Sequence, residues 1–194
     1  MKGTRSRKRD ASQQHPALDS LDASEKAVVL DALLRRHAEL REEAEKIAHG
    51  LLVDVDPGAV ADDVEWDLRA LSIGELNGRA GRQRGGYVEP TDAAWELLGE
   101  ALEPHSREVE RLLTLGLVGP AVDTALGIMA GLYRCRGCED GDLLLSWAPD
   151  FPAEETAAVL KRLTDAGYEV PPESLANSVP EWADWLDAAG PVGP

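Results

Sequence analysis

Aliphatic side chains recur three and four positions apart along almost the whole chain, and this helical period is what most restricts the folds open to it. Val29, Leu30, Leu33 and Leu34 open the series. Leu40, Ala44, Ile47, Ala48 and Leu51 continue it, with Glu39, Arg41, Glu42, Glu45 and Lys46 on the opposite, wet side. Further stripes follow at Val60, Val64, Leu68 and Leu71, then at Ala94, Trp95, Leu98, Ala101 and Leu102, and again from Val122 through Leu126, Met129 and Tyr133. No segment alternates apolar and polar residues convincingly. With one phenylalanine and few isoleucines, the chain is also poor in the β-branched and aromatic side chains that suit a pleated surface. The expected class is all-α: antiparallel helix pairs joined by short connections, forming a short solenoid or an irregular helical bundle.

Helix ends are marked by local chemistry. Asp22 followed by Glu25, and Ser72 followed by Glu75, have the spacing of a capping box, in which an acceptor side chain and a carboxylate three residues on satisfy each other's backbone N–H groups. Asp56-Pro57 places a capping carboxylate ahead of a proline at the first helical position. Thr91 or Asp92 is the expected cap of the next long helix. Pro104 falls inside the continuing pattern of Val109, Leu112 and Leu113, so a kink or break is expected there. A short helical turn is read over Leu143 to Trp147, a helix from Pro152 stopped by Gly167, and a last one from Pro180 through Trp182 and Trp185 to Gly190.

Charge is unevenly spread. Lys2, Arg5, Arg7, Lys8 and Arg9 face only Asp10 in the first ten residues, while the rest of the chain holds 15 basic against 35 acidic side chains, a net of −20. Residues 1–17 read as a flexible basic tail, and residues 18–190 as a single all-helical domain, a length sufficient for a core without metal or disulfide staples. A body so acidic repels nucleic acid and anionic membrane over most of its surface. No run has the apolar core of a signal peptide or the length to span a bilayer, and two cysteines fit a reducing compartment, so a cytoplasmic protein is expected. The excess of arginine over lysine, with abundant alanine, glycine and leucine, suggests the usage of a GC-rich bacterial genome.

The run from His37-Ala-Glu-Leu-Arg to Tyr133-Arg134 carries a central Gly-Tyr-Val, then Ala-Ala-Trp-Glu-Leu-Leu, Leu115-Gly116 and Ala121-Val122. It resembles uncharacterised helical-repeat proteins of high-GC bacteria and is distantly similar to the helical region attached to bacterial SWIM zinc-finger proteins. The resemblance covers about half the chain. It implies a helical-repeat fold and no catalytic residues; the zinc finger's own cysteine and histidine pattern is absent.

Among residues able to carry chemistry, the stretch 77–90 stands out. Its four glycines exclude a helix, at a cost of roughly 1 kcal/mol each, and its three arginines, Arg79, Arg82 and Arg84, sit where backbone N–H groups approach an anion closely. It lacks the Lys-Ser or Lys-Thr ending of a nucleotide P-loop. The expected reading is a structural joint whose arginines pair with the acidic body and whose Tyr87 packs the loop down, with anion or partner binding by the three arginines as the alternative. Cys135-Arg-Gly-Cys138 is half a zinc site with no second pair, and its place at a helix C-terminus disfavours thiolate, so Cys135 and Cys138 are weak metal or redox candidates and no cofactor is assigned. His105 lies on an apolar stripe, where a partnered core histidine is expected rather than a base. Gly127 and Gly131, one turn apart, suggest close backbone packing. No serine-hydrolase elbow, metalloprotease motif or paired-carboxylate arrangement is present. The expected function is a non-enzymatic helical scaffold binding another protein. The alternative is a nucleic-acid-associated regulatory protein using the basic tail and the Arg79, Arg82, Arg84 loop.

Overall fold

The capping signals act where they stand in the sequence. In the structure, a computed structural model that describes residues 16–137 and 143–188, Asp22 accepts from Glu25 N–H at 2.8 Å while the Glu25 carboxylate accepts from Asp22 N–H at 3.0 Å. Ser72 and Glu75 close the second box, the carboxylate accepting from Ser72 N–H at 2.7 Å. Asp56 accepts from Gly58 N–H at 2.9 Å, with Pro57 in the first turn of its helix. The described residues pack as two bodies, 16–49 and 50–188. Residues 1–15, most of the basic tail, lie outside the described residues, as do Cys138 and Gly190.

The first body comprises α1 (Pro16–Asp19), α2 (Ala23–Arg36), a 3-10 turn at Ala38–Leu40, and most of α3 (Arg41–Val53). Helix α2 ends because His37 adopts φ −128°, ψ 76°, outside the helical region. Neither α2 nor α3 buries a single residue.

The second body contains α4 (Pro57–Ala70), α5 (Ile73–Arg79), strands β1 (Gly81–Gln83) and β2 (Gly86–Val88), α6 (Pro90–Thr114), α7 (Val118–Arg134), a 3-10 turn at Leu144–Trp147, α8 (Phe151–Asp165), α9 (Pro172–Ser178) and α10 (Ala183–Ala188). Its architecture is all-α with one small hairpin. Helix α7 is the hub and packs against α4, α6, α8 and α9. It is apolar on most sides, burying Ala121, Ala125, Ile128, Met129 and Leu132, as a helix surrounded by others must be. Gly127 and Gly131 face α4: a Cβ built on Gly127 meets Val60 Cβ at 2.6 Å and the Pro57 carbonyl at 2.7 Å, and one on Gly131 meets the Ala61 carbonyl and Val64 Cβ, both at 2.8 Å. The helix backbones approach as closely as they do because these two positions carry no side chain.

Three sequence expectations are corrected, and one helix lies where none was expected. Helix α6 starts at Pro90 with Glu89 as its cap residue and no side-chain cap, not at Thr91 or Asp92. It runs unbroken through Pro104. Pro104 is on the exposed face, so water can take up the carbonyl left without a donor, while Leu102, Val109 and Leu112 hold both halves in the core. The last helix starts at Ala183, after a turn in which Trp182 and Ala183 N–H both donate to the Val179 carbonyl. Helix α9, which buries only Leu175, was too short to leave a periodic signal.

Candidate functional site

The glycine-rich stretch is divided between three elements. Helix α5 continues to Arg79, and Ala80 N–H closes its last turn on the Leu76 carbonyl. Gly81, at φ +88°, then turns the chain into β1, a conformation that a side chain would strain. The strands pair antiparallel as Gly81 with Val88, Arg82 with Tyr87, and Gln83 with Gly86, leaving Arg84-Gly85 as a two-residue connection. Gly86 has φ +140°. The expected loop is therefore a short β-hairpin. The sequence concealed it because three-residue strands containing two glycines show neither alternation nor β propensity.

This geometry separates the four residues singled out from the sequence. Arg79 belongs to the body: its Nη1 donates to Glu100 Oε1 at 2.7 Å and lies 3.7 Å from Glu96 Oε2, tying α5 to α6. The hydrogen bond to Arg79 holds the Glu100 carboxyl below its ordinary range, and the same bond raises the guanidinium. These groups line an open groove of about 630 Å³ at the foot of the hairpin, together with Glu75 and Val88. Arg82, Arg84 and Tyr87 instead project from the hairpin. All three are exposed, Tyr87 to 67%, so Tyr87 does not pack the hairpin down. Among the described residues neither Arg82 nor Arg84 makes an ion pair, although the chain as a whole carries −16. Arg82 and Tyr87 are directly opposite and therefore share one face of the ribbon. Because Arg79 is a partly exposed ion pair, Arg79→Ala should cost less than about 1 kcal/mol in urea denaturation.

The other sequence candidates fall elsewhere. Cys135 is buried at the C-terminal cap of α7, its N–H donating to the Gly131 and Leu132 carbonyls. Beside it, Arg136 sits 3.5 Å over the Tyr133 ring and donates to Glu181 at 3.2 Å, linking α7 to the turn before α10. Among the described residues no group of three or more histidine, cysteine or acidic side chains is arranged to hold a metal ion. His105 is partnered, as expected of a stripe histidine: its Nε2 lies 2.9 Å from Asp67 Oδ2, linking α6 to α4. It borders an open pocket of about 450 Å³ with Asp56, Asp63, Glu108 and Thr124. The Thr124 hydroxyl donates to the Pro120 carbonyl, and no serine, cysteine or lysine is among the described residues lining that pocket.

One exposed residue was overlooked in the sequence. Trp66 is 74% exposed on α4, flanked by Glu65 and by Arg69, whose Nε donates to Glu65 at 3.0 Å. Arg134 reaches Asp62 at 2.5 Å from α7. The available signal was phase: Trp66 lies off the Val60, Val64, Leu68 stripe and so had to face outward.

No protein-family model matches the chain, and neither a curated protein nor a solved structure matches it. No helix among the described residues is long and apolar enough to cross a membrane.

Proposed function

We propose that the protein is a non-enzymatic helical scaffold that binds another protein through the hairpin projecting between α5 and α6. The observation that carries this reading is the exposure of Arg82, Arg84 and Tyr87 on a chain otherwise dominated by acidic side chains. Arginine and tyrosine are among the residues that dominate binding energy at protein interfaces. A short hairpin anchored by Arg79 presents them at little cost in ordering entropy, because their backbone is already held. The partner that fits is a protein surface offering carboxylates to the two guanidinium groups and an apolar recess to the ring.

The alternative, nucleic-acid binding, draws on the same arginines and on the basic tail. Even with the five basic side chains of the tail, the two arginines neutralise few phosphates beside a body that carries 35 acidic against 15 basic side chains. A cross-linked pull-down with the full chain, compared with the Arg82→Ala, Arg84→Ala, Tyr87→Ala triple variant, tests the proposal. The variant should lose the wild-type partner, with affinity at least about tenfold weaker and an unchanged helical circular dichroism spectrum. An unchanged set of partners would sink the proposal. In filter binding at low salt, retention of nucleic acid by the wild type that the triple variant loses would favour the alternative.

A further inference from the structure

Helices α2 and α3 present a problem that their own sequence can solve. Each is only 13 or 14 residues long, a length at which an isolated helix is marginal in water, and neither buries a residue. Their aliphatic side chains are nevertheless large and open to solvent: Leu30, Leu33, Leu40 and Ile47 are 51%, 44%, 40% and 58% exposed. With His37 and Ala44 these positions run 30, 33, 37, 40, 44, 47, the three-and-four alternation of a coiled-coil seam.

We propose that this seam is covered by a second copy of the chain, with α2 of one protomer lying antiparallel on α3 of its partner. Three observations select this occupant. Reversal of the seam onto itself pairs position 30 with 47 and 33 with 44, so leucine meets isoleucine and alanine, and every contact is made twice by the two-fold axis. The flanking charges match: Arg36 comes opposite Glu43 of the other copy, and neither makes an ion pair among the described residues. A parallel pairing would set Arg36 against Arg41 of the other copy. The interruption at His37 falls beside the two-fold axis, so each arm is one uninterrupted helix on another. At 1.5 Å per residue α2 and α3 are each about 20 Å long, and the two arms together provide on the order of 800 Å² per chain, the share of a standard stable interface; α2 alone would provide half.

Sedimentation equilibrium of the full chain tests this. The wild type should have twice the 20.9 kDa chain mass at concentrations up to roughly 100 μM. Leu30→Glu with Ile47→Glu should give a monomer, and because both sites are exposed the second body should keep its unfolding midpoint. Arg36→Glu alone and Glu43→Arg alone should each weaken association roughly tenfold, since each pair occurs twice, and the two together should restore it. A monomeric wild type overturns the proposal, as does a dimer that survives the Leu30→Glu, Ile47→Glu change. Failure of the double charge exchange to recover the dimer overturns the antiparallel pairing.

Discussion

Phe151→Ala should lower the free energy of unfolding by about 3–5 kcal/mol, read as a shift in the urea midpoint with little change in slope. Phe151 is the chain's one phenylalanine and is 1% exposed, at the first position of α8. Its ring meets Trp95 of α6 edge to face, with centroids 5.0 Å apart and planes at 68°, so truncation removes both the buried area and an aromatic contact. Nearby in the chain, Ala148 and Pro152 are themselves buried. Phe151→Leu, which keeps much of the volume, should cost less than about 1.5 kcal/mol. A loss of this size is a large fraction of the 5–15 kcal/mol that stabilises a typical domain, so the alanine variant should be partly unfolded well below the wild-type midpoint. Equal effects of the two substitutions would show that the site is not the packed core contact described.

The second large effect runs against helix propensity. Gly131→Ala puts a better helix former into α7, worth roughly 0.8–1.0 kcal/mol on propensity alone. Its Cβ, however, would lie 2.8 Å from both the Ala61 carbonyl and Val64 Cβ. The first of these is backbone of α4, which cannot rotate away, so the helices must separate. Overpacking of this kind costs about 1–3 kcal/mol, and the net change should be destabilising. Gly99 in α6 supplies the control: nothing lies within 4 Å of a Cβ there, and Gly99→Ala should stabilise by up to roughly 1 kcal/mol. Opposite shifts of the two urea midpoints check the argument. If both variants were stabilised, the close approach of α4 and α7 would not exist in solution.

Both sites bear on how much could be read in advance. The pair Gly127 and Gly131 was legible as a close-packing signal, but not which helix it admits, because that depends on contacts 60 and more residues away in the chain. The hairpin was legible as a place where helix stops. Its strands were not, since they are made by pairing across a turn rather than by the propensity of glycine. Among the arginines, sequence treated Arg79, Arg82 and Arg84 alike. A difference of a few residues places Arg79 on the last turn of α5 beside Glu100 and sends the others out along the ribbon.

By itself the sequence determined the helical class, three helix starts and the central stripes of α4, α6 and α7. All of these depend on interactions within a few residues, where a cap or a three-and-four spacing acts without knowledge of the rest of the chain. Tertiary structure decided what those local rules leave open. It carried α6 through Pro104 because the core grips the helix on both sides and water reaches the other. It brought α4 against the glycines of α7, partnered His105 with Asp67, and left Arg82, Arg84 and Tyr87 outside. Which charges are paired and which face solvent is settled only when distant segments meet, and at the hairpin that outcome separates the residue that anchors it from the residues it presents.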